Sequence, residues 1–278
     1  MTISDSDISV VVQGPIFHND ELTANCLRSI RKHLPSAEII LSTWSGSGVG
    51  GLLYDVLMES DDPGMFVRND GQQNNVNRQL VTTIQGLSKA TKHYALKMRT
   101  DSILEGTGFI DYFRDSEPCQ TGSYRCFKQK IVAITLFARN PLRSGYLFHM
   151  SDTFLFGLRG DLIDLFDIPL LSMAEKNICS PEQYIWTALL RKKSIEVSLH
   201  QLKINCAKFA LSELTLVDNF SLIEPESANI WLPQRFYENS RESVYSQREW
   251  ELLNEKYCRS PIYWINRRLH PFVRWLRN

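Results

Sequence analysis

The run NNVNRQLVTTIQGLSKATKHYALKMRTDS, residues 74–102, reads as a helix leading into a buried strand that ends on charge. Val76, Leu80, Ile84, Leu87 and Ala90 fall on one face at helical spacing, which predicts a helix over about 76–91. His93 to Met98 then reads as a strand, followed by Arg99 and Asp101 two residues apart. At period two, that cation and that carboxylate project from the same side of an extended chain. A strand end of this kind suggests that the pair holds something.

Working toward the N-terminus, the same order recurs. Ile8-Ser9-Val10-Val11-Val12-Gln13-Gly14 is a β-branched run ending at Gly14-Pro15, the pattern of a buried parallel strand delivering a loop. Leu22, Cys26, Leu27, Ile30 and Leu34 predict a helix stopped by Pro35. Glu38 to Trp44 reads as a second strand, ending in a Gly/Ser loop at 45–51, and Met65-Phe66-Val67 as a weak third strand. The first hundred residues thus read β-α-β and again β-α-β, which implies a mostly parallel sheet with helices on its faces. In such sheets ligands bind at the carboxyl ends of strands. Gln13-Gly14-Pro15, Ser42-Thr43-Trp44 and Arg99-Thr100-Asp101 are three polar strand ends, so a crevice is expected along that edge.

Beyond residue 105 the pattern loosens. Phe109 to Arg114 and Asp161 to Phe166 look helical, while Lys130 to Arg139, Thr153 to Leu158 and Ile195 to Leu199 look like strands. Ser180-Pro181-Glu182-Gln183 opens a helix running to about Arg191. Ser is a favoured N-cap, Pro fits the first turn, and Glu suits the positive helix end. Further helices are expected at 241–256 and 261–276. The chain shows no internal repeat.

Composition narrows the classes. At 278 residues the chain can bury a sizeable core, and its formal net charge of zero gives no global field for nucleic acid. Six cysteines with no CxxC spacing read as reduced thiols of a cytosolic protein. Met1 to Ser9 lacks a signal-peptide pattern, and no stretch reaches the roughly 18 apolar residues of a membrane span. The GxxxxGK[ST] phosphate loop, GxSxG and HExxH motifs are absent, which weakens kinase, hydrolase and zinc-protease readings.

The order of these features resembles the nucleotide-diphospho-sugar half of GT-A glycosyltransferases, where an Arg-containing helix precedes a strand ending in an acidic metal motif. Arg78 stands at the helix position and Asp101 at the last acidic position. DTFLFGLRGDLIDLFD (152–167) is similar to the acceptor-side strand and helix, and SPEQYIWTALLRK (180–192) to the later helix that begins with an acidic pair. A closer resemblance is to the WavE family of bacterial lipopolysaccharide-synthesis proteins. It rests on VVVQGPI, AEIILSTW, NVNRQ, LKMRTDS and SPEQYIW, and covers roughly residues 8–200.

The resemblance implies a mixed, mostly parallel GT-A-like α/β sheet. It divides the chain into a nucleotide-sugar-binding catalytic domain over 1–215 and a helical C-terminal extension over 216–278. It implies an inverting glycosyltransferase that moves a sugar from a nucleotide-sugar onto a growing surface polysaccharide: lipopolysaccharide core, O-antigen or capsule. Mn²⁺ or Mg²⁺ would sit on Asp101, with His149 as a second metal candidate and otherwise a loop histidine. The motif departs from the usual Asp-x-Asp because Arg99 takes its first position. The alternatives are that Arg99 contacts the diphosphate directly or that Arg99 and Asp101 are a structural pair. Gln13, Gly14, Thr43 and Trp44 would line the base and ribose, and Asn77 and Arg78 would reach the diphosphate or sugar.

For the acceptor proton, Glu182 is the first candidate base and Asp152 the second. The second position of the acidic pair is Gln183, which cannot take a proton. The helix N-terminus is expected to lower the Glu182 pKa. Two rivals stand beside this reading: a nucleotidyltransferase, and a non-catalytic saccharide-binding or scaffold subunit. The tail SPIYWINRRLHPFVRWLRN (260–278) carries four arginines among aromatics and no acid. It suits peripheral contact with the inner face of an anionic membrane, where a lipid-linked acceptor would lie, or packing on the catalytic domain.

Overall fold

β1 (Ile8–Gln13) is buried at every position, which is why its sequence is a continuous β-branched run rather than an alternation. In the computed structural model of the chain, residues 2–115, 124–177, 179–198, 202, 206–238 and 243–258 are described. β1 is an interior strand of a seven-stranded sheet with β2 (Glu38–Trp44), β3 (Val56–Ser60), β4 (Tyr94–Arg99), β5 (Ile131–Ile134), β6 (Leu155–Leu158) and β7 (Phe220–Ile223). The spatial order is β7-β5-β6-β4-β1-β2-β3. β6 runs antiparallel to both its neighbours, and every other pairing is parallel. The expected mixed, mostly parallel α/β sheet flanked by helices is therefore what the chain builds.

Alternation along the central strands sends side chains into two cores. Val11, Ile40 and Ala95 pack under α2 (Val76–Lys89), α4 (Arg159–Phe166) and α5 (Pro181–Lys192). Val10, Val12, Leu96 and Met98 pack under α1 (Leu22–His33) and α3 (Gly108–Asp115) on the other face. Each fully buried Val, Leu or Phe contributes about 1.5–3 kcal/mol of transfer free energy. A Cβ on Gly86 of α2 would stand 2.4 Å from Val11 Cγ1, so glycine is what lets this helix lie so close to β1. Two later helices complete the description, α6 (Cys206–Asn219) and α7 (Gln247–Cys258).

Several expectations need correcting. The third strand is Val56–Ser60, not Met65–Val67; Phe66–Val67 forms a two-residue ladder with Gln73–Asn74 apart from the main sheet. β3 is an edge strand with half-buried positions, so its apolar signal is weak. The strand expected over Lys130–Arg139 stops at Ile134. Ala138 N–H bonds back to Thr135 C=O, and Phe137 takes a left-handed φ of 68°. Ile195 to Ser198 form no strand, and Leu199 lies outside the described residues. The seventh strand is instead Phe220–Ile223, which pairs with β5 in the same sheet. α6 escaped prediction because its apolar residues, such as Phe209, Leu211, Leu216 and Val217, surround the helix instead of forming one stripe. α7 begins at Gln247, later than expected, and the helix expected over 261–276 lies outside the described residues.

Candidate active site

Parallel pairing sets the carboxyl ends of β4, β1 and β2 side by side. Gln13 is in register with Arg99 on one side and Ser42 on the other. Gly14 follows with φ 130°, and a Cβ there would lie 3.0 Å from Thr100 Oγ1. Its N–H donates to Ser42 C=O, while Thr100 N–H donates to Gln13 C=O and Thr100 Oγ1 to Pro15 C=O. The loop after β1 is thereby fastened to the turn carrying Arg99 and Asp101.

The Asp101 side chain is fully buried. Arg99 grips it with two parallel bonds, Nε to Oδ1 at 2.8 Å and Nη2 to Oδ2 at 2.9 Å. Arg235, from the short helix Gln234–Glu238, donates from Nη2 to the same Oδ2. Both guanidiniums rest near Phe236, at 5.0 Å and 4.9 Å from its centroid, and Arg235 also lies 5.8 Å from Phe17. Arg235 was missed from the sequence. It lies in the mixed stretch IWLPQRFYE (230–238), with no local pattern to mark it.

A second charged cluster lies along the same edge. The Lys97 side chain, two residues before Arg99 on β4 and on the same face, is buried and donates from Nζ to Asp152 C=O. It also lies 5.6 Å from the Phe166 ring. Burial pulls its pKa down to about 8, against the pull of Asp152. Asp152 is 3% exposed, and its Oδ2 is buried with no hydrogen-bond partner among the described residues. Burial raises its pKa, with Lys97 drawing it back.

Glu182 sits in the first turn of α5, whose entry is set by a capping box. Ser180 Oγ accepts from Gln183 N–H, and Gln183 Oε1 accepts from Ser180 N–H. Such a cap is worth about 1 kcal/mol. Gln183 is further spent on the Leu147 and Leu202 carbonyls. The expectation that the helix end lowers the Glu182 pKa is corrected: burial outweighs it and the pKa is raised.

His149 donates from Nδ1 to Phe137 C=O at 2.9 Å and turns Nε2 toward Glu182 Oε2 at 3.6 Å. Burial, helped by the charge of Arg139, pushes its pKa down to about 3. The imidazole is neutral, so the Glu182 contact is not an ion pair. The charge of Arg99 acts on both Lys97 and Asp152, and that of Glu182 reaches both as well. Arg99, Asp101, His149, Asp152 and Glu182 are therefore brought to one edge.

The other expected residues divide. Gln13 is buried with its Oε1 accepting from Thr82 Oγ1, Thr43 is buried beside Ser47, and Trp44 is half-buried at the end of β2. Asn77 is turned to Leu171, donating to its C=O and accepting from its N–H. Arg78 is held by Asp62, with Nε 2.8 Å from Oδ1. Those two are committed to protein partners in this arrangement. The three described free thiols, Cys26, Cys126 and Cys179, are raised above the usual range by burial.

The resemblance implies a divalent cation on Asp101, and the residues present do not fit one. Both carboxylate oxygens are occupied by guanidinium donors, and the two cations outweigh the single acid. Among the described residues, no three His, Cys, Asp or Glu side chains gather as a cation site. His149, the other expected ligand, has Nδ1 on a carbonyl and Nε2 facing Glu182, an orientation a ligand could adopt, but no third such side chain joins them among the described residues.

Fold and edge together define an α/β protein in which cations and separate buried acids converge at the carboxyl ends of parallel strands. The chain belongs to the WavE lipopolysaccharide synthesis family, whose sequence profile matches residues 8–276. Among solved structures it is similar to a Drosophila beta-1,4-galactosyltransferase 7 mutant in complex with manganese, UDP-Gal and xylobiose. That likeness has 12% identity and a TM-score of 0.35, and covers 69% of this chain and 63% of that one. The chain thus spans less than two thirds of that neighbour's length. A likeness at this score says nothing about which residues do chemistry. No curated protein matches the chain.

Proposed function

We propose that this chain is an inverting glycosyltransferase that moves a sugar from a nucleotide-sugar onto a growing bacterial surface saccharide. The observation that carries the reading is the joining of two unlike clusters along one strand edge. Cations suited to a leaving diphosphate stand at Arg99, and carboxylates suited to a hydroxyl proton stand at Asp152 and Glu182. Membership in a lipopolysaccharide synthesis family supports a saccharide acceptor.

In this reading the nucleoside lies over Gln13, Gly14, Thr43 and Trp44, and the diphosphate faces Arg99. Glu182, whose side chain is 15% exposed, takes the proton of the acceptor hydroxyl, and that oxygen attacks the anomeric carbon. The bond from that carbon to the diphosphate oxygen breaks, and its electron pair leaves with the nucleoside diphosphate. Charge grows on the leaving group as the bond lengthens, so guanidiniums placed there favour the transition state over the ground state. Asp152 and Lys97 set the field around Glu182. Raised by burial, Glu182 is a stronger base than a solvated carboxylate.

A thermal-shift panel of nucleotide-sugars, each beside its free sugar and free nucleoside, tests this. A ligand at a hundred times its Kd adds about 2.7 kcal/mol to the folded state. A raised Tm with a nucleotide-sugar, and not with the free sugar alone, supports the reading. No shift with any donor favours the scaffold alternative.

A further inference from the structure

We propose that a cavity at the carboxyl ends of β5 and β7 is a subsite for one ring of an uncharged saccharide. The proposal rests on the glycosyltransferase reading only for the role of that saccharide, as acceptor. As a sugar site, it stands on its own lining.

The sheet sets its position. β6 runs antiparallel to β4 and to β5, and β7 runs parallel to β5, so β5 and β7 point the same way as β4 and β1. The residues that follow them, Thr135-Leu136 and Glu224 to Glu226, therefore emerge on the edge that carries Gln13 and Arg99. Together with Tyr237 and the stretch 244–246 they line a cavity of about 260 Å³. Small-molecule pockets begin at about 300 Å³, so this space suits a single ring rather than a whole nucleotide. Two short links join it to the candidate chemistry. Leu136 lines the cavity, and the C=O of the next residue, Phe137, accepts from His149, whose Nε2 faces Glu182. Tyr237 lines it too, and the preceding residue, Phe236, lies against the Arg99 guanidinium.

The lining selects the ligand. Glu224 is already ordered: its Oε2 accepts from Thr135 Oγ1 at 2.6 Å and its Oε1 from Gln247 N–H at 2.8 Å. Each oxygen keeps a second lone pair, so the carboxylate can accept from neighbouring hydroxyls of a sugar. Glu226 is exposed, and its carboxylate has no hydrogen bond or ion pair among the described residues. Arg143, at the same wall, spends Nη1 and Nη2 on Glu249 and Nη2 also on Val244 C=O. The charge left over is negative. It accepts from hydroxyl donors and repels a carboxylate or phosphate substituent. Leu136, Val244 and Tyr237 supply an apolar wall for the C–H face of the ring. Tyr245, 3% exposed, also lines the cavity, and its hydroxyl has no hydrogen-bond partner among the described residues. A buried polar group left in that state calls for a water or a ligand.

The test is saturation-transfer NMR titration of the full chain with the methyl glycosides of glucose, galactose and mannose, each beside its uronate. The subsite predicts saturable binding of at least one neutral glycoside, and binding of its uronate weaker by about tenfold or more, because like charges then face each other. Glu226→Lys, at an exposed side chain, should reverse that preference. Glu224→Gln keeps the shape and loses the charge, and should weaken the neutral glycoside about tenfold, the scale of losing one charge-assisted bond. Circular dichroism of both variants checks folding. No binding of any neutral glycoside, uronates bound equally well, a preference unchanged in Glu226→Lys or an affinity unchanged in Glu224→Gln overturns the proposal. If neutral glycosides bind as expected while no nucleotide-sugar shifts Tm, the subsite stands and the glycosyltransferase reading falls. If a nucleotide-sugar is turned over while both variants bind glycosides as the parent does, the subsite falls and that reading stands.

Discussion

Arg235 places its guanidinium on the carboxylate of Asp101 across 134 residues of sequence. With Arg99 it encloses an acid whose side chain is fully buried. The two ends of that relationship are not equivalent. Removing Asp101 takes one partner from each of two partly exposed guanidiniums, whereas removing Arg99 leaves a fully buried carboxylate held by Arg235 on Oδ2 with Oδ1 losing its Arg99 donor.

Stability should report this asymmetry. Arg99→Ala is expected to cost about 3 kcal/mol, the range for breaking a buried ion pair from one side. Asp101→Ala should cost less, about 1–2 kcal/mol for lost charge-assisted hydrogen bonds. Urea titrations of the two variants decide it. Equal costs, or a larger cost for Asp101→Ala, would mean that Asp101 is not the buried partner.

Glu182→Gln should cut turnover by about 10²–10⁴-fold while leaving donor affinity nearly unchanged, since a base acts on the acceptor proton. Steady-state kinetics with separate donor titration checks this. A loss below about tenfold moves the role to Asp152.

The acid limb of the activity profile should lie above the ordinary glutamate value of 4.5, because burial raises the Glu182 pKa and a base must be deprotonated to act. The limb should disappear in Glu182→Gln. His149, pushed down to about 3, stays neutral through this range and should contribute no limb of its own.

Lys97 gives a stability signature of its own. Its folded pKa of about 8 lies below the ordinary 10.5, so between those values the unfolded chain binds more protons than the folded one. The contribution is fully present above about 10.5 and is lost as pH falls through about 8. Relative to Lys97→Met, the parent should therefore gain stability as pH rises across that window. A flat difference would show that Lys97 is not buried as a cation among Asp152 and Glu182.

The tail 260–278 lies outside the described residues, and its composition alone motivates a fifth expectation. Four arginines near an anionic surface, each worth about 1 kcal/mol, should give salt-sensitive liposome binding. A chain ending at Arg259 should lose it. Equal co-sedimentation of both chains would assign the tail to packing on the protein. Among the described residues, no helix is long and apolar enough to cross a membrane.

What could be read from the sequence was local. The α2 stripe, the β-branched β1 and the polar ends at Gln13, Ser42 and Arg99 each follow from periodicity within a dozen residues. Parallel pairing then forces those ends onto one edge. Arg235 and β7 could not be read this way, because each acquires its role only through a distant partner: Asp101 for one, β5 for the other. β3 was hidden by its edge position. Lys97 was the one signal available and missed. A lysine inside a continuous buried run predicts a buried acid nearby, and Asp152 and Glu182 were already marked.

The central claim is transfer of a sugar from a nucleotide-sugar at this edge. Its most direct measurement is nucleoside diphosphate release from a donor panel, with and without a saccharide acceptor, in the parent and in Glu182→Gln. The account predicts release from a donor that acceptor accelerates in the parent and not in Glu182→Gln, with the sugar recovered on the acceptor. Donors that bind and remain intact with every acceptor, or release that is unchanged in Glu182→Gln, would contradict it.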